Sequence, residues 1–187
     1  MLINQSPHHL DILQWLIGSI DEISGYHANL NHPYIEVEDT ALAMIRFRSG
    51  ALASVVVSLS QKPGIYTKIH MHGANGASVG AETDSGATFI AGMTAAAAPP
   101  LNDLWTIPGE EALLPAFQEA DRAAFRSIDP GTHYHIAQDR DFLGAILEDR
   151  PPLVTGEDGR KVVEMVAAIY RSAKERRPVR LPLEGAE

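Results

Sequence analysis

The sequence predicts an α+β fold: one mostly antiparallel, open-faced sheet with helices packed on one of its faces. Strand-like runs fill the middle of the chain, over residues 40–91, whereas helical patterns lie near both ends. The strongest local signal is Arg48-Ser49-Gly50, because a short glycine-containing connection between two apolar runs is typical of a β-hairpin. The chain contains no internal repeat, and we expect a single domain over 1–187.

The first eighteen residues predict a short buried strand followed by a helix. Met1 to Gln5 forms the strand, Ser6 is a good N-cap, and Pro7 suits the first helical position. The apolar stripe of this helix ends at Gly18, a natural residue for a helix C-terminus. Its members are Leu10, Leu13, Leu16 and Ile17.

Further strands and helices follow from composition and periodicity. Ser19 to Pro33 is polar and punctuated by glycine, asparagine and proline, so we expect a loop or a broken strand. The predicted strands are Thr40 to Phe47, Ala51 to Ser60, Tyr66 to Gly73, Ala77 to Ala81, Ala87 to Ala91 and Leu104 to Ile107, with a loop at Thr94 to Asn102. The predicted helices are Glu110 to Phe125, His135 to Asp149 with Ile136, Phe142, Leu143 and Ile146 as its apolar set, and Glu157 to Arg176 with Val162, Val163, Val166, Ile169 and Tyr170 inward.

Composition excludes several classes of protein. The 15 basic and 24 acidic residues give a net charge of −9, which argues against nucleic-acid binding because phosphate neutralisation needs a basic face. The absence of cysteine excludes disulfides and thiolate zinc sites. No apolar run approaches the ~20 residues of a membrane helix. The N-terminus also lacks the charged region of a signal peptide, so we expect a cytoplasmic protein.

The turn from the first strand into the first helix is the best candidate for chemistry. His8 would lie in the first helical turn, where free N–H groups favour a neutral imidazole, the form able to accept a proton. Asn4 could point into the same cleft. The alternative is a histidine that only forms a hydrogen bond in a domain interface.

This stretch, Asn4-Gln5-x-x-His8-x-x-Asp11-x-x-x-Trp15-x-x-Gly18, resembles the opening of the second domain of the glucose–fructose oxidoreductase/inositol dehydrogenase/rhizopine-catabolism (Gfo/Idh/MocA) dehydrogenases. The resemblance continues in order along nearly the whole chain. The further matching segments are Gly73-Ala-Asn-Gly76, Asp141-Phe142-x-x-Ala145-Ile146, Pro152-x-Val154-x-Gly156-x-Asp158-Gly159, Ala168-Ile169-Tyr170-x-Ser172-Ala173 and Pro178-Val179-x-Leu181-Pro182.

The resemblance implies an oxidoreductase that transfers hydride between a sugar- or polyol-type alcohol and NAD or NADP. It makes His8 the catalytic residue and Asn4, where the family often has a carboxylate, a residue that orients a substrate hydroxyl. His133 and Tyr134 would line the sugar pocket, and Asp11 would support the substrate site rather than catalyse.

The same resemblance implies that the N-terminal Rossmann domain is absent from this chain. Met1 would then be an internal methionine, the chain alone would be inactive, and it would bind no cofactor. The sequence indeed has no Gly-x-Gly-x-x-Gly, and Gly73-x-x-Gly76 is better explained as a turn between strands. Lys62-Pro63 resembles the family's catalytic lysine motif only superficially, since it follows the hairpin.

Two other classes of protein stay open. A non-enzymatic, stand-alone sugar-binding or dimerisation domain would have the same fold. A metal hydrolase would need the pairs His70/His72 and His133/His135 as ligands, but no carboxylate lies at a telling spacing and we expect no metal. We also expect a homo-oligomer through the sheet face, because both faces of the hairpin are small or apolar.

Overall fold

The protein folds into two compact units. One unit comprises Met1–Gly64 with Val154–Glu187, and the other comprises Ile65–Leu153, so each is described by itself. The computed structural model describes residues 2–61, 67–83, 88–90, 93–95, 100–129 and 132–183.

A four-stranded antiparallel sheet forms the centre of the first unit, with the strand order β3-β2-β1-β9. The predicted hairpin is confirmed: Gly50 occupies its turn with φ of 89°, a conformation that favours glycine. The predicted Lys62-Pro63 segment lies outside the described residues. The strands are β1 (Ile20–Ala28), β2 (Thr40–Phe47), β3 (Leu52–Ser58) and β9 (Val179–Arg180).

β1 is a nine-residue strand with one irregularity, a register shift against β2 between Ile20 and Glu22, so the expectation of a loop over 19–33 is wrong for its first part. Ile20 and Ile23 are buried in the core, and β1 pairs with β2 on one side and β9 on the other. Gly25 lies in the middle of the strand. Gly25 suggested a break in the strand, but the close packing of Ile169 against it favours glycine at this position.

Three helices belong to the first unit. The predicted strand at Met1 to Gln5 is wrong: Leu2–Gln5 forms a helix instead, and the carboxylate of Glu38 accepts the N–H of Leu2 at 2.8 Å. Ser6 does not cap; its hydroxyl donates to the carbonyl of Leu2 at 2.6 Å. Gly18 does end the helix, with φ of 101°. The helices are α1 (Leu2–Gln5), α2 (Pro7–Ile17) and α5 (Gly156–Glu175).

α5 packs directly on β1. The two elements approach so closely at Gly25 that a Cβ there would lie 2.8 Å from Cγ2 of Ile169. The N–H of Gly25 donates to the Ser172 hydroxyl at 3.0 Å, and that hydroxyl donates to the carbonyl of Arg177 at 2.7 Å. Val163, expected inward, is exposed, whereas Met165 faces the core.

The sheet buries one face and leaves the other open. The inward side chains of β2 pack with α2 and α5 into one hydrophobic core. On the opposite face Leu42, Met44, Leu52 and Val56 are exposed, and we call these four side chains the open face. The inward residues of β2 are Ala41, Ala43, Ile45 and Phe47.

The second unit contains a three-stranded antiparallel sheet, a short hairpin and two helices. The sheet order is β4-β5-β8, and Gly76, with φ of 83°, turns β4 into β5 as predicted. Trp105 at the end of β8 packs on Phe117 of α3, with ring centroids 4.8 Å apart. The elements are β4 (Thr67–His72), β5 (Ser78–Thr83), β6 (Thr88–Ile90), β7 (Met93–Ala95), β8 (Leu101–Trp105), a 3₁₀ turn (Glu111–Leu113), α3 (Leu114–Arg126) and α4 (His133–Leu147).

α4 lies close to its predicted position, but its apolar set does not form a core in this chain. Ala145 is its buried residue. Arg150 closes the end of the helix by pairing with Asp141 at 3.0 Å, and the same carboxylate accepts the N–H of Leu153 at 2.7 Å. The exposed apolar side chains are Ile136, Phe142, Leu143, Ile146 and Leu147.

The contact between β1 and α5 predicts the effect of adding one methyl group. Gly25→Ala should destabilise the protein by about 1–3 kcal/mol, because the new Cβ overlaps Ile169 and forces the helix away from the strand. Gly159→Ala is the matched control on α5. Its Cβ meets open space, and alanine favours the helix, so the control should be neutral or stabilising by up to about 1 kcal/mol. Urea unfolding followed by circular dichroism measures both, and equal stability of the two variants would contradict the packing argument.

Candidate functional site

The candidate catalytic residues Asn4 and His8 and the candidate substrate-binding residue Asp11 lie on one face of the helical segment formed by α1 and α2. Asn4, His8 and Asp11 follow one another at spacings of four and three residues, which places them on neighbouring turns of a helix. All three side chains are exposed. The opposite face carries Leu2 and Leu10, each 1% exposed, so the core fixes the direction in which the polar face points.

Glu38 anchors the beginning of this helical segment. Its carboxylate accepts the N–H of Leu2 and, at 2.9 Å, the hydroxyl of Tyr170 on α5. Burial and the hydrogen bond to Glu38 raise the pKa of Tyr170 to about 12, so the phenol keeps its proton at neutral pH. A second helix, α2, begins at Pro7, so His8 lies in its first turn as the sequence predicts.

His133 and Tyr134 belong to the second compact unit. Both are exposed at the start of α4, where their rings meet edge to face with centroids 5.2 Å apart. The N–H of His133 donates to the carbonyl of Asp129 at 2.9 Å. That His133 and Tyr134 line the same substrate pocket as His8 stays a prediction.

A buried aspartate that the sequence analysis missed organises the loop between β1 and β2. Asp39 is 0% exposed. Its carboxylate accepts hydrogen bonds from the N–H groups of Leu30 and Asn31, at 3.0 and 2.8 Å, and forms a third with Nδ1 of His32 at 2.8 Å. Burial alone would raise the pKa of Asp39, but these hydrogen bonds hold it well below its usual range. In the sequence the site appears only as a polar Asn-x-Asn-His segment followed by the carboxylates of Glu38 and Asp39. These residues can be recognised as a site only when the loop brings them together.

A second cluster lies across the sheet of the second unit. Nε2 of His70 lies 2.8 Å from Asp103, and Lys68 lies 3.4 Å from Asp103 and 2.7 Å from Glu82. These contacts, with burial opposing them, leave the pKa of Asp103 lowered. A Cβ on Gly80 would overlap the side chains of His70 and Asp103, so the pair in its present position favours glycine here. Asp103 was missed because it lies at the predicted boundary between a loop and a strand.

A metal-binding group and a membrane-spanning helix are both absent from the described residues. Over these residues, no group of three or more histidine, cysteine, aspartate or glutamate side chains could hold a metal ion. His70 and His72, the expected pair, contact Asp103 and Ser78 instead. Within the same part of the chain, no helix is long and apolar enough to cross a membrane.

An antiparallel sheet backed by helices, preceded by a helical segment with Asn4 and His8 on its outer face, is the architecture of the C-terminal domain of an oxidoreductase family. The sequence matches the description "Oxidoreductase family, C-terminal alpha/beta domain" over residues 1–181. The chain belongs to the Gfo/Idh/MocA family, and the predicted α+β fold is confirmed.

Solved structures of dehydrogenases have the same fold. The WlbA dehydrogenase of Bordetella pertussis, in complex with NADH and UDP-GlcNAcA, is 24% identical with a TM-score of 0.73 over 98% of this chain and 48% of its own. The WlbA dehydrogenase of Chromobacterium violaceum, with the same ligands, is 25% identical with a TM-score of 0.62 over 97% and 46%. A myo-inositol dehydrogenase of Corynebacterium glutamicum is 19% identical with a TM-score of 0.59 over 96% and 49%.

The chain spans about half the length of the solved structures that it matches. A comparison with curated proteins finds no match.

The Asp39 site predicts a pH-dependent loss of stability. Because the pKa of Asp39 is lower in the folded than in the unfolded chain, its stabilisation is complete above the unfolded value near ~3.9 and is lost as the pH falls. Asp39→Asn should lower the Tm at pH 7 by roughly 5 °C or more, and the difference from wild type should shrink below about pH 4. Asp11→Asn, at an exposed position in the same unit, should change Tm little at either pH. A difference that stays constant from pH 7 to 3 would contradict the role of the charge.

Proposed function

We propose that this chain is the substrate-binding and oligomerisation half of an NAD- or NADP-dependent dehydrogenase that acts on a sugar- or polyol-type alcohol. The observation that carries the proposal is the face of α1 and α2, where Asn4, His8 and Asp11 are exposed together on a helix held rigidly by its opposite side. Family membership supports the dehydrogenase assignment. Relatives in complex with UDP-GlcNAcA and an inositol dehydrogenase support a polyhydroxylated substrate.

His8 is the residue that would take the proton of the reacting hydroxyl, or return it in the opposite direction. A neutral imidazole can accept a proton at one ring nitrogen while the hydroxyl lies within hydrogen-bond reach. Asn4, one turn earlier, offers an amide N–H donor and a carbonyl acceptor. It would orient a neighbouring hydroxyl without exchanging protons. Asp11, His133 and Tyr134 would contact further hydroxyl groups of the substrate.

The nicotinamide cofactor would accept or donate the hydride, and it would be bound by a domain outside this chain. The N-terminus of α5, the longest helix among the described residues, does not fit a dinucleotide phosphate. At the N-terminus of α5 the hydroxyl of Thr155 already accepts the N–H of Asp158, and the Asp158 carboxylate accepts the N–H of Thr155. A carboxylate in that position repels a phosphate. We therefore propose that the isolated chain is inactive and binds neither NAD nor NADP.

A stand-alone sugar-binding or dimerisation domain is the competing function. The two proposals differ in what is encoded upstream. An in-frame Gly-x-Gly-x-x-Gly about 100–140 residues before Met1, the usual size of a nucleotide-binding domain, favours the dehydrogenase. A cytoplasmic location is part of our proposal and rests on the sequence, which has no cysteine for disulfides.

Replacing His8 tests the catalytic proposal. In the full-length enzyme, His8→Ala should lower kcat by roughly 10²–10⁴, the usual contribution of a general acid–base group, with cofactor affinity little changed. His9→Ala removes the neighbouring imidazole and should keep kcat within about twofold. Steady-state kinetics over pH 6–9 with a panel of polyols measures both variants. Near wild-type turnover of His8→Ala would exclude the catalytic role.

We propose that the open face joins two copies of the chain. Leu42, Met44, Leu52 and Val56 are 47–69% exposed and adjacent across β2 and β3, a continuous apolar surface of the kind that monomers seldom expose. A twofold axis through the sheet would cover this surface on both copies, because the same patch is used twice.

Light scattering tests this association. The wild-type chain should give at least twice its mass of 20.3 kDa at micromolar concentration. Leu42→Glu should shift it to the monomer, because burying an unpaired carboxylate in the interface is costly. Val163→Glu, at an equally exposed apolar site on α5, should leave the mass unchanged. A wild-type monomer, or equal effects of the two variants, would rule out the open face as the interface.

A further inference from the structure

A cavity of about 470 Å³ lies in the first unit where β1 passes α5. It shares no residue with the face that carries Asn4, His8 and Asp11. Its lining residues are Tyr26, His27, Tyr170, Ala173 and Lys174.

The cavity lies along the edge of β1 beyond the point where its pairing with β9 ends. β9 pairs with β1 only at Glu22 and Ile23, so α5 rather than a strand flanks the next part of that edge. The N–H of Gly25 points to this side, since it donates to Ser172 of α5. Backbone groups alternate along a strand, so the N–H of His27 points the same way. The cavity therefore contains a backbone donor as well as side chains.

The lining of the cavity includes one cation, Lys174, whereas the carboxylate of Glu38 accepts the hydroxyl of the lining residue Tyr170. Lys174 is exposed, and none of the described residues forms an ion pair with it, whereas Arg171 and Arg177 both pair with Glu175, at 2.8 and 2.6 Å. The C-terminus of α5 contributes a partial charge of roughly −0.5, which the full charge of the Lys174 ammonium exceeds. The imidazole of His27 adds a second donor. A chain with a net charge of −9 thus has a local site for an anion.

Aromatic rings form the other part of the lining. The ring of Tyr170 meets that of His27 edge to face, with centroids 5.3 Å apart. The Tyr170 hydroxyl donates to the buried carboxylate of Glu38, which fixes the direction of the ring. Tyr26 is 71% exposed and available for stacking.

We propose that this cavity binds a small molecule that carries a phosphate or carboxylate group on a flat or apolar body. Lys174 and the N–H of His27 hold the anionic group by charge-assisted hydrogen bonds, and Tyr26 and Tyr170 contact the body. Nothing in this site depends on the catalytic role proposed for His8.

Three probes separate the two halves of the proposed ligand: phenyl phosphate carries both groups, inorganic phosphate only the anion, and phenol only the ring. Titration of the ¹⁵N-labelled chain at pH 7, followed by amide chemical shifts, reports affinity and location together. Phenyl phosphate should shift the amides of His27 and Ala173 saturably and bind at least fivefold more tightly than either other probe. Failure to saturate, or shifts centred elsewhere, would overturn the proposal.

Variants at and away from the cavity complete the test. Lys174→Gln should weaken phenyl phosphate about tenfold, the value of one charge-assisted hydrogen bond. Tyr26→Ala should reduce its advantage over inorganic phosphate, and circular dichroism checks that both variants fold. Lys161→Gln, the same change elsewhere on α5, and His8→Ala should bind phenyl phosphate like the wild type. Equal weakening by Lys161→Gln and Lys174→Gln would mean a non-specific charge effect and overturn the site.

Discussion

The close approach of α5 to β1 at Gly25 is the contact on which the first unit depends. It sets the height of the helix above the sheet, and with it the position of Tyr170, whose hydroxyl reaches Glu38. Glu38 in turn accepts the N–H of Leu2 and so determines where the first helix begins. Asn4 lies on that helix, and His8 lies on α2, which follows it directly. A backbone contact between a strand and a helix thus fixes the direction of side chains that touch neither of them.

Local patterns predicted the elements whose stability is local. The hairpin of β2 and β3 follows from alternation and a glycine turn, and α2 and α5 follow from helical periodicity, with Gly18 at the end of α2. The failures have a different cause. Residues 2–5 are helical because a carboxylate 36 residues away accepts the N–H of Leu2. β1 is continuous because its glycine is packed rather than free.

The residues of the candidate site also divide into those that local spacing predicts and those that depend on contacts between distant parts of the chain. His8 and Asp11 could be found in the sequence because they lie three residues apart in one predicted helix, whereas Asn4 was placed on a strand and lies on α1 instead. The pairs His32–Asp39 and His70–Asp103 could not be found, since each depends on how a loop closes or how strands pair. Distance along the chain decides the difference: Asp103 lies 33 residues from the histidine that it contacts. No spacing rule in a single sequence connects residues so far apart.

Glu38 and Asp39 are consecutive residues whose carboxylates form hydrogen bonds with different parts of the fold. The first holds α1 and α5, and the second closes the loop that leads into β2. Shifting the chain by one residue at this point would exchange the two side chains and disrupt both contacts, as a register slip does in a sheet. The mostly exposed stretch from Pro33 to Val37 is held through its backbone, because the side-chain amide of Asn29 donates to the carbonyls of Ile35 and Val37 at 2.9 and 3.2 Å. During evolution the side chains of this stretch can therefore change, whereas its length is tied to Asn29 and to the dipeptide that follows.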